Sequence, residues 1–172
     1  MPNIDLKVIS LPVERWADYK DLRLRALRKE PLAFGEPYAE AYSKPDSRWQ
    51  ERLKEVTEGH SWLVFAEVQG ELKGMVGAFQ DEGDTISSNA HIYGMYVDED
   101  VRRRGIGRVL MTLLMKQLTD RRVRTAQLGV NPDQKAAKNL YSSLGFRVTL
   151  TEDGILGDGL SHPMLVMERR FV

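Results

Sequence analysis

Cysteine is absent from this chain of 172 residues. Without cysteine the chain has no disulfide framework and no thiolate ligand for a metal. A covalent mechanism through a cysteinyl intermediate is excluded for the same reason. Any catalysis must therefore use other side chains or proceed directly between two bound molecules.

An excess of charge of either sign is also lacking, because 25 Lys and Arg residues balance 25 Asp and Glu residues. A chain without net positive charge gives no global reason to expect nucleic acid or a membrane surface as a partner. The stretch from Met1 to Trp16 contains no apolar block of signal-peptide or membrane-spanning length. We therefore expect a soluble cytoplasmic protein whose charge-driven binding is local.

Internal repeats, low-complexity tracts and a dividing linker are missing as well. A chain of this length is long enough to bury a core of its own. The sequence therefore predicts one domain covering residues 1–172.

The pattern of apolar residues predicts alternating α and β elements. Strands are expected at residues 4–11, 61–69, 72–80, 91–97, 125–130, 146–151 and 164–171. Helices are expected at residues 13–29, 48–58 and 135–143, and in the leucine-rich stretch after residue 106. Residues 32–47 fit either a loop or a short helix, residues 81–89 form a polar loop, and glycines mark a loop between the last two strands.

A glycine turn with three arginines, Arg102 to Gly107, separates a strand-like run from a strongly helical one. The first N–H groups of a helix have no partner within it and carry the positive end of its dipole, so this turn is a candidate phosphate site. Gly105 and Gly107 have no Cβ to block the approach. Arginines at a helix start oppose the dipole unless an anion is bound there. A P-loop would need lysine after its second glycine, and a dinucleotide-binding turn would need glycine at Leu110, so neither pattern fits.

The turn has the form Arg/Gln-x-x-Gly-x-Gly/Ala, and a Leu-Tyr-x-x-x-Gly-Phe string follows it at Leu140 to Phe146. Together these motifs resemble the signature of the GNAT superfamily of acyl-CoA-dependent N-acyltransferases. The resemblance is strongest over residues 91–146, and the order of elements over residues 4–80 agrees with it. It implies an α/β (α+β) fold with a mixed, mainly antiparallel central sheet of about six or seven strands. Helices would flank this sheet, which would splay open near its middle to admit coenzyme A.

The resemblance also implies which residues bind the coenzyme. The turn would bind the pyrophosphate through backbone N–H groups, and Arg108 would extend this cradle. Family members often carry Asn seven residues before the tyrosine, where this chain has Gln134, while Asn131 lies three residues earlier. Either amide is a candidate contact for the pantetheine arm, and Asn139 is a further one. The implied coenzyme contacts are Met95, Tyr96, Val97, Arg102, Arg103, Arg104, Gly105, Ile106, Gly107, Arg108, Asn131, Gln134, Asn139 and Tyr141.

Acyl transfer from a thioester to an amine needs a deprotonated amine, stabilisation of an oxyanion and a proton for the leaving thiolate. By the resemblance, Tyr141 donates that proton. Its phenol, with a reference pKa of about 10, can protonate a nearby thiolate, whose conjugate thiol has a reference pKa of about 8.5. The oxyanion would meet a backbone N–H near Tyr96 or Val97.

The base that deprotonates the amine is less determined, because an alkylammonium with a pKa of about 10.4 is mostly charged at neutral pH. His91 and Tyr93 share one face of a predicted strand, and His91 titrates in a suitable range. A water chain that ends at an acid such as Glu36 is an equal alternative. Acids in predicted loops are candidates to line a pocket for a cationic substrate: Glu36, Glu40, Asp46, Asp81, Glu82, Asp84, Asp153 and Asp158.

These features predict an N-acetyltransferase that moves the acetyl group of acetyl-CoA directly to a primary amine of a small molecule or peptide, without a metal. The alternative is a non-catalytic sensor or regulatory module that binds acyl-CoA. Nucleic-acid binding through Arg102 to Arg104 with Arg121, Arg122 and Arg124 is a third hypothesis, which the zero net charge disfavours. No motif in the sequence identifies the acceptor amine. A homodimer is one assembly compatible with the resemblance.

Overall fold

The computed structural model describes residues 4–80 and 88–171. The strands in these ranges are β1 (Leu6–Ile9), β2 (Ser61–Val68), β3 (Glu71–Phe79), β4 (Asn89–Val97), β5 (Thr125–Val130), β6 (Arg147–Ile155) and β7 (Ser161–Arg170). The helices are α1 (Trp16–Lys29), α2 (Tyr38–Ser43), α3 (Asp46–Glu58), α4 (Ile106–Asp120) and α5 (Lys135–Ser143). Short 3-10 turns lie at Val13–Arg15, Pro31–Ala33 and Glu99–Val101.

The described strands form one seven-stranded sheet in the order β1-β2-β3-β4-β5-β7-β6. Neighbouring strands are antiparallel except for β4 and β5, which run parallel. The crossover between these two parallel strands contains α4, as a parallel pair requires. The predicted mixed, mainly antiparallel sheet is confirmed.

Helices cover both faces of the sheet, and each face has its own core. On one face α4 buries Ile106, Leu110, Leu114 and Leu118, which repeat every four residues and so lie on one side of the helix. On the other face α1 and α3 pack against side chains of β2, β3 and β4. Alternate residues of β2 enter opposite cores, and for this reason its sequence is apolar almost throughout.

The structure extends several predicted elements. Residues 38–43 of the ambiguous segment form α2, and the last two strands continue into the glycine-rich stretch, which leaves residues 156–160 as their connection. Each of these two strands supplies backbone hydrogen bonds to the other. For this reason the hairpin of β6 and β7 extends beyond the residues that have a strand-like side-chain pattern. The predicted polar loop at residues 81–89 mostly lies outside the described residues, and its last residue begins β4.

The sheet opens between β4 and β5. Their described pairing runs from Asn89 opposite Thr125 to Ile92 opposite Leu128, and then ends although both strands continue. Gly94, just beyond the last pair, has a φ of +68°. Here β4 carries an extra residue relative to β3, because Tyr93 pairs with Gly77 and Tyr96 with Met75. This β-bulge turns β4 away from β5, and the splay predicted from the family resemblance is confirmed.

Candidate active site

A cleft of about 440 Å³ occupies the gap between the diverging strands. Its walls are the bulged half of β4, the end of β5, the first turn of α4 and one face of α5. Past Ile92, the edge of β4 that faces β5 lies outside the β4–β5 ladder, so its backbone is available to an extended polar chain lying in the cleft.

The N-terminus of α4 forms one end of this cleft. Gly105 occupies the N-cap position of the helix with a φ of +80°, a conformation that glycine adopts without steric cost. Neither a capping side chain nor an acidic residue occupies the first turn of α4. Its first N–H groups and the positive end of the helix dipole therefore suit an anion. A Cβ on Gly107 would lie 2.9 Å from Met95 Cε and 3.2 Å from Leu140 Cδ2, so glycine also permits close packing of α4 against the cleft walls.

The arginines of the turn have different surroundings. Arg102 folds back over Tyr96, donates from Nε to the Val97 carbonyl oxygen at 2.7 Å and forms an ion pair with Glu30 at the end of α1. Arg103 is exposed and lines the cleft, whereas Arg104 is exposed and lies outside the lining. Arg108 lines the cleft and donates to Ser143 Oγ at 2.7 Å. Arg103 and Arg108 are thus better placed to meet an anion than Arg102, whose guanidinium is engaged by the protein.

The three amide candidates also separate in space. Asn131 is buried and accepts a hydrogen bond from the Asp133 N–H at 2.9 Å, which shapes the turn from β5 into α5. Gln134 precedes α5 and lines the cleft together with Asn131. Asn139 is exposed on α5 and is not among the lining residues.

Tyr141 lies on α5 and contributes to the cleft wall. Its ring meets Phe146 edge-on with centroids 6.2 Å apart, which explains why the sequence places a phenylalanine directly after the glycine that ends this helix. Burial raises the pKa of the Tyr141 phenol well above its ordinary value. At neutral pH this side chain is protonated and can act as a hydrogen-bond or proton donor.

A buried charge network anchors the end of β4. Asp98 is 4% exposed, accepts hydrogen bonds from Arg25 at 2.8 to 3.2 Å and accepts another from the Tyr96 hydroxyl at 2.8 Å. Burial alone would raise the pKa of Asp98, but these hydrogen bonds outweigh it and the pKa is lowered. The side chain of Tyr96 therefore points into the α1 core, and β4 presents its backbone to the cleft at this residue.

The two candidate routes for removing a proton from the amine look different in three dimensions. His91 stacks on Phe79 at 5.2 Å and is not among the cleft-lining residues, while Tyr93, two residues later, is one of them. Glu36 forms ion pairs with Arg23 and Lys44. Burial would raise the pKa of Glu36, but Lys44 and Arg23 outweigh it and lower the pKa, which makes this carboxylate a weak proton acceptor.

Most of the residues predicted to contact the coenzyme meet at one cleft, although Arg104 and Asn139 do not line it. His91, which was predicted as a candidate base, does not line it either. The structure adds lining residues that the sequence did not single out as coenzyme contacts: Glu30, Ala33, Ile92, Tyr93, Gly94, Val101, Leu128, Gly129, Val130, Ala136, Ala137 and Leu140. A glycine inside a strand pattern was the one available signal, because such a glycine often marks a bulge. The apolar residues look like ordinary core in sequence, and only the divergence of β4 and β5 exposes them to the cleft.

The family comparison agrees with this geometry. The model of the acetyltransferase (GNAT) family matches residues 22–146, a range that includes β4, the glycine turn and α5. The chain belongs to this family. Within the described ranges, no helix combines the length and apolar character needed to cross a bilayer, and no cluster of His, Asp and Glu is arranged to hold a metal ion.

Proteins that are similar to this chain are named as acetyltransferases. The chain is 34% identical over 98 residues to the [ribosomal protein bS18]-alanine N-acetyltransferase of Escherichia coli K12, and the match covers 57% of this chain and 64% of that protein. The fold resembles PaiA N-acetyltransferase from Thermoplasma acidophilum in complex with coenzyme A, at a TM-score of 0.77 and 14% identity over 97% of this chain and 99% of that one. It also resembles YncA from Salmonella typhimurium, solved with its cofactor acetyl-CoA, at a TM-score of 0.82 and 15% identity over 96% and 94% of the two chains.

Proposed function

We propose that the protein transfers the acetyl group of acetyl-CoA directly to a primary amine. The observation that carries this proposal is the continuity of the cleft. The uncapped N-terminus of α4, the open backbone edge of β4 and the protonated phenol of Tyr141 all border one space. These features match, in order, a pyrophosphate, a pantetheine arm and a thioester sulfur.

In this assignment the N–H groups at the start of α4 bind the pyrophosphate, with Arg103 and Arg108 adding positive charge at its side. The backbone of Met95 to Val97 and the Gln134 side chain contact the pantetheine arm. Arg102 acts indirectly, since it links the end of β4 to Glu30 and so holds the turn in place. Asn131 acts in the same indirect way through its turn.

The reaction then follows from the positions of the groups. The free amine attacks the thioester carbonyl carbon, a C–N bond forms, and a backbone N–H of β4 near Tyr96 or Val97 stabilises the oxyanion. The C–S bond breaks, and Tyr141 gives its proton to the departing thiolate and regains one from solvent. Because His91 is not among the cleft-lining residues and Glu36 is ion-paired, we assign removal of the amine proton to water rather than to either side chain.

The acceptor is a primary amine of a small molecule or a peptide. The E. coli relative is named for the alanine of a ribosomal protein, so a peptide that begins with alanine belongs among the first acceptors to test. A substrate of that kind would also place this protein in the cytoplasm, as the sequence predicts. A homodimer is a further hypothesis, and sedimentation velocity tests it directly.

Tyr141→Phe tests the catalytic assignment. We expect kcat to fall about 100-fold or more, the usual contribution of a general acid, while the Kd of acetyl-CoA stays within about twofold. The ring still packs against Phe146, so the thermal midpoint should change little. Thiol release measured with a panel of amino acids, polyamines, aminoglycosides and peptides gives kcat, and isothermal titration gives the Kd of acetyl-CoA.

The same panel separates transfer from sensing. If acetyl-CoA binds and no amine gives turnover, the sensor hypothesis replaces the proposed activity. If Tyr141→Phe keeps full turnover, the protein transfers acetyl groups but its acid is a different group.

A further inference from the structure

Two pairs of polar residues face each other on the side of the sheet covered by α1 and α3. Tyr19 and Arg23 are four residues apart on α1, and Trp49 and Arg52 are three apart on α3, so each pair lies on one helix face. Tyr19 meets Trp49 edge-on with ring centroids 5.3 Å apart, which joins the two pairs. This group is called the α1–α3 polar cluster below.

Arg23 connects the cluster to the cleft. Its Nη1 lies 3.0 Å from the position that a Cβ on Gly94 would occupy, so the guanidinium sits against the bulge of β4. It lies over the Phe34 ring at 5.0 Å and forms one hydrogen bond within the described part of the chain, to Glu36 Oε2 at 3.1 Å. A guanidinium has five N–H donors, so this one hydrogen bond does not use the full donor capacity of Arg23.

Hydrogen-bond donors outnumber acceptors in the cluster. Arg52 donates to Glu55 at 2.8 Å, to Ser61 at 3.2 Å and to the Tyr93 hydroxyl, which directs that hydroxyl toward the arginine. Trp49 is 4% exposed, and its Nε1–H has no acceptor among residues 4–80 and 88–171. Buried donors are normally satisfied, so the cluster favours a ligand that brings acceptor oxygens.

The charges point the same way. Among the described residues, Arg23, Lys44 and Arg52 form ion pairs with two carboxylates, those of Glu36 and Glu55. The side chains of the three basic residues are 12% (Arg23), 39% (Lys44) and 23% (Arg52) exposed. Positive charge is therefore concentrated in a partly desolvated place, where ionic contacts are stronger than in water. Burial raises the pKa of Tyr19 to about 12, so this neighbour stays uncharged and does not offset the positive charge.

We propose that the acceptor is an amine that carries a carboxylate beside its amino group, as an α-amino acid does, with Arg23 binding the carboxylate. This inference rests on the proposed acetyl transfer. In an α-amino acid two covalent bonds separate the nitrogen from the carboxylate carbon, about 2.5 Å. A carboxylate on Arg23 therefore holds the amine at Gly94, where the cleft opens. The product is the N-acetyl amino acid, formed when the C–N bond replaces the C–S bond and the thiol takes the proton.

Matched acceptors test the proposal. Each free amino acid, such as L-alanine, L-methionine or L-glutamate, is compared with its α-amide, which keeps the amine and side chain but removes the negative charge. We expect kcat/KM of the wild-type protein to be about tenfold or more higher for the acid, the usual effect of a charge-assisted hydrogen bond. In Arg23→Gln the acid should lose this advantage, so that the ratio of kcat/KM between acid and amide falls to about one.

Controls separate recognition from folding. Arg28→Gln removes a guanidinium from the same helix that contacts Tyr38 instead, and it should keep the wild-type preference. Arg23→Lys retains charge and should keep part of the preference, which covers the case in which Arg23→Gln fails to fold. Acetyl-CoA affinity and circular dichroism confirm that each variant has an intact cleft.

Three outcomes distinguish the two proposals. Equal use of acid and amide by the wild-type protein overturns the carboxylate site and leaves acetyl transfer intact. The same conclusion follows if a peptide beginning with alanine is acetylated and no free amino acid is. If no amine is acetylated while acetyl-CoA binds, with polyamines and aminoglycosides tested beside the acids, amides and peptides, the proposed transfer itself is wrong.

Discussion

Asp98 shows how one side chain can decide the direction of a strand at a functional site. It lies directly after β4, and its carboxylate joins Arg25 of α1 to the hydroxyl of Tyr96. An unpaired charge would be costly at this depth, but three hydrogen bonds from Arg25 compensate for the lost hydration. The network fixes the side chain of Tyr96 on the α1 face, so the backbone of β4 remains free to face the cleft.

Asp98→Asn tests this role through pH. The folded-state pKa of Asp98 is lowered, so its stabilising effect is complete at neutral pH and is lost as the pH falls through that lowered value. We expect the variant to lose about 2 kcal/mol of unfolding free energy at pH 7. The two proteins should converge in stability as the pH falls below that lowered pKa, where the wild-type carboxylate is also protonated.

Urea denaturation at a series of pH values measures both quantities. Asp100→Asn is the matched control, because Asp100 pairs with Lys73 but its side chain is 63% exposed, and such pairs contribute little. Stability curves of wild type and Asp98→Asn that stay parallel down to low pH would contradict the assignment.

At the scale of elements, the β6–β7 hairpin is fastened to the segment between α1 and α2. The Gly157 N–H lies 3.0 Å from the Pro31 carbonyl oxygen and 2.8 Å from that of Phe34, and it donates to both. A Cβ at Gly157 would lie 2.6 Å from the Pro31 oxygen, too close for any other residue. This segment carries Ala33 of the cleft wall and the Phe34 ring beneath Arg23, so the contact positions the end of the site where we propose that the acceptor binds.

Gly157→Ala should therefore separate the two segments. We expect a stability loss of about 1–3 kcal/mol, typical of forcing extra volume into a packed contact. The KM of the acceptor should rise several-fold while the Kd of acetyl-CoA remains unchanged, because the pyrophosphate end of the cleft is built by other elements. Steady-state kinetics with isothermal titration of acetyl-CoA measures the two effects.

Gly70→Ala is the control for this experiment. Gly70 has a φ of +83° with open space around it, so alanine strains the backbone there without touching the site. Its variant should lose stability and keep the wild-type KM. An unchanged acceptor KM in Gly157→Ala would show that the hairpin does not position the acceptor.

At the scale of the whole molecule, the sheet is divided where it would otherwise be continuous. The halves on either side of the splay meet through the β4–β5 pairs up to Ile92 and through the helices beside the cleft. A ligand that spans the gap contacts β4, β5, α4 and α5 together. Since such a ligand binds the folded state alone, it stabilises that state by mass action.

Coenzyme A at 100 times its Kd should raise the unfolding free energy by about 2.7 kcal/mol. For a chain of this size that corresponds to a thermal midpoint higher by about 5–10 °C. Pantetheine, which lacks the pyrophosphate, should give a much smaller shift at equal concentration, because the N-terminus of α4 then has no anion to bind. Differential scanning fluorimetry over a ligand series is sufficient, and equal shifts from the two ligands would argue against the anion site at α4.

Local order was readable from the sequence because it depends on neighbours in the chain. The strand before the turn, the helix after it and the limits of β5 and α5 agree with the periodicity of their side chains. The glycines of the turn likewise predict a helix start without a capping side chain, because glycine has no side chain that could accept the first N–H groups. Residues 32–47 were ambiguous because Gly35, Pro37 and Pro45 interrupt the helical spacing of the aromatic residues, and the conformation of this segment depends on contacts with distant segments.

The sequence by itself determined the family of this protein, the glycine turn at the start of one helix and the tyrosine on the next, and these are the features on which the proposed donor site rests. Only the tertiary structure decided that β4 turns away from β5 at Gly94, that Arg102 is occupied by Val97 and Glu30, and that Arg23 reaches the bulge from α1. The physical reason is the separation along the sequence between the residues that are in contact. A helix start or a strand is set by residues a few positions apart. The contacts of Arg102 with Glu30 and of Arg23 with Gly94 instead join segments about 70 residues apart, and the meeting of these segments depends on how the two cores pack against the sheet.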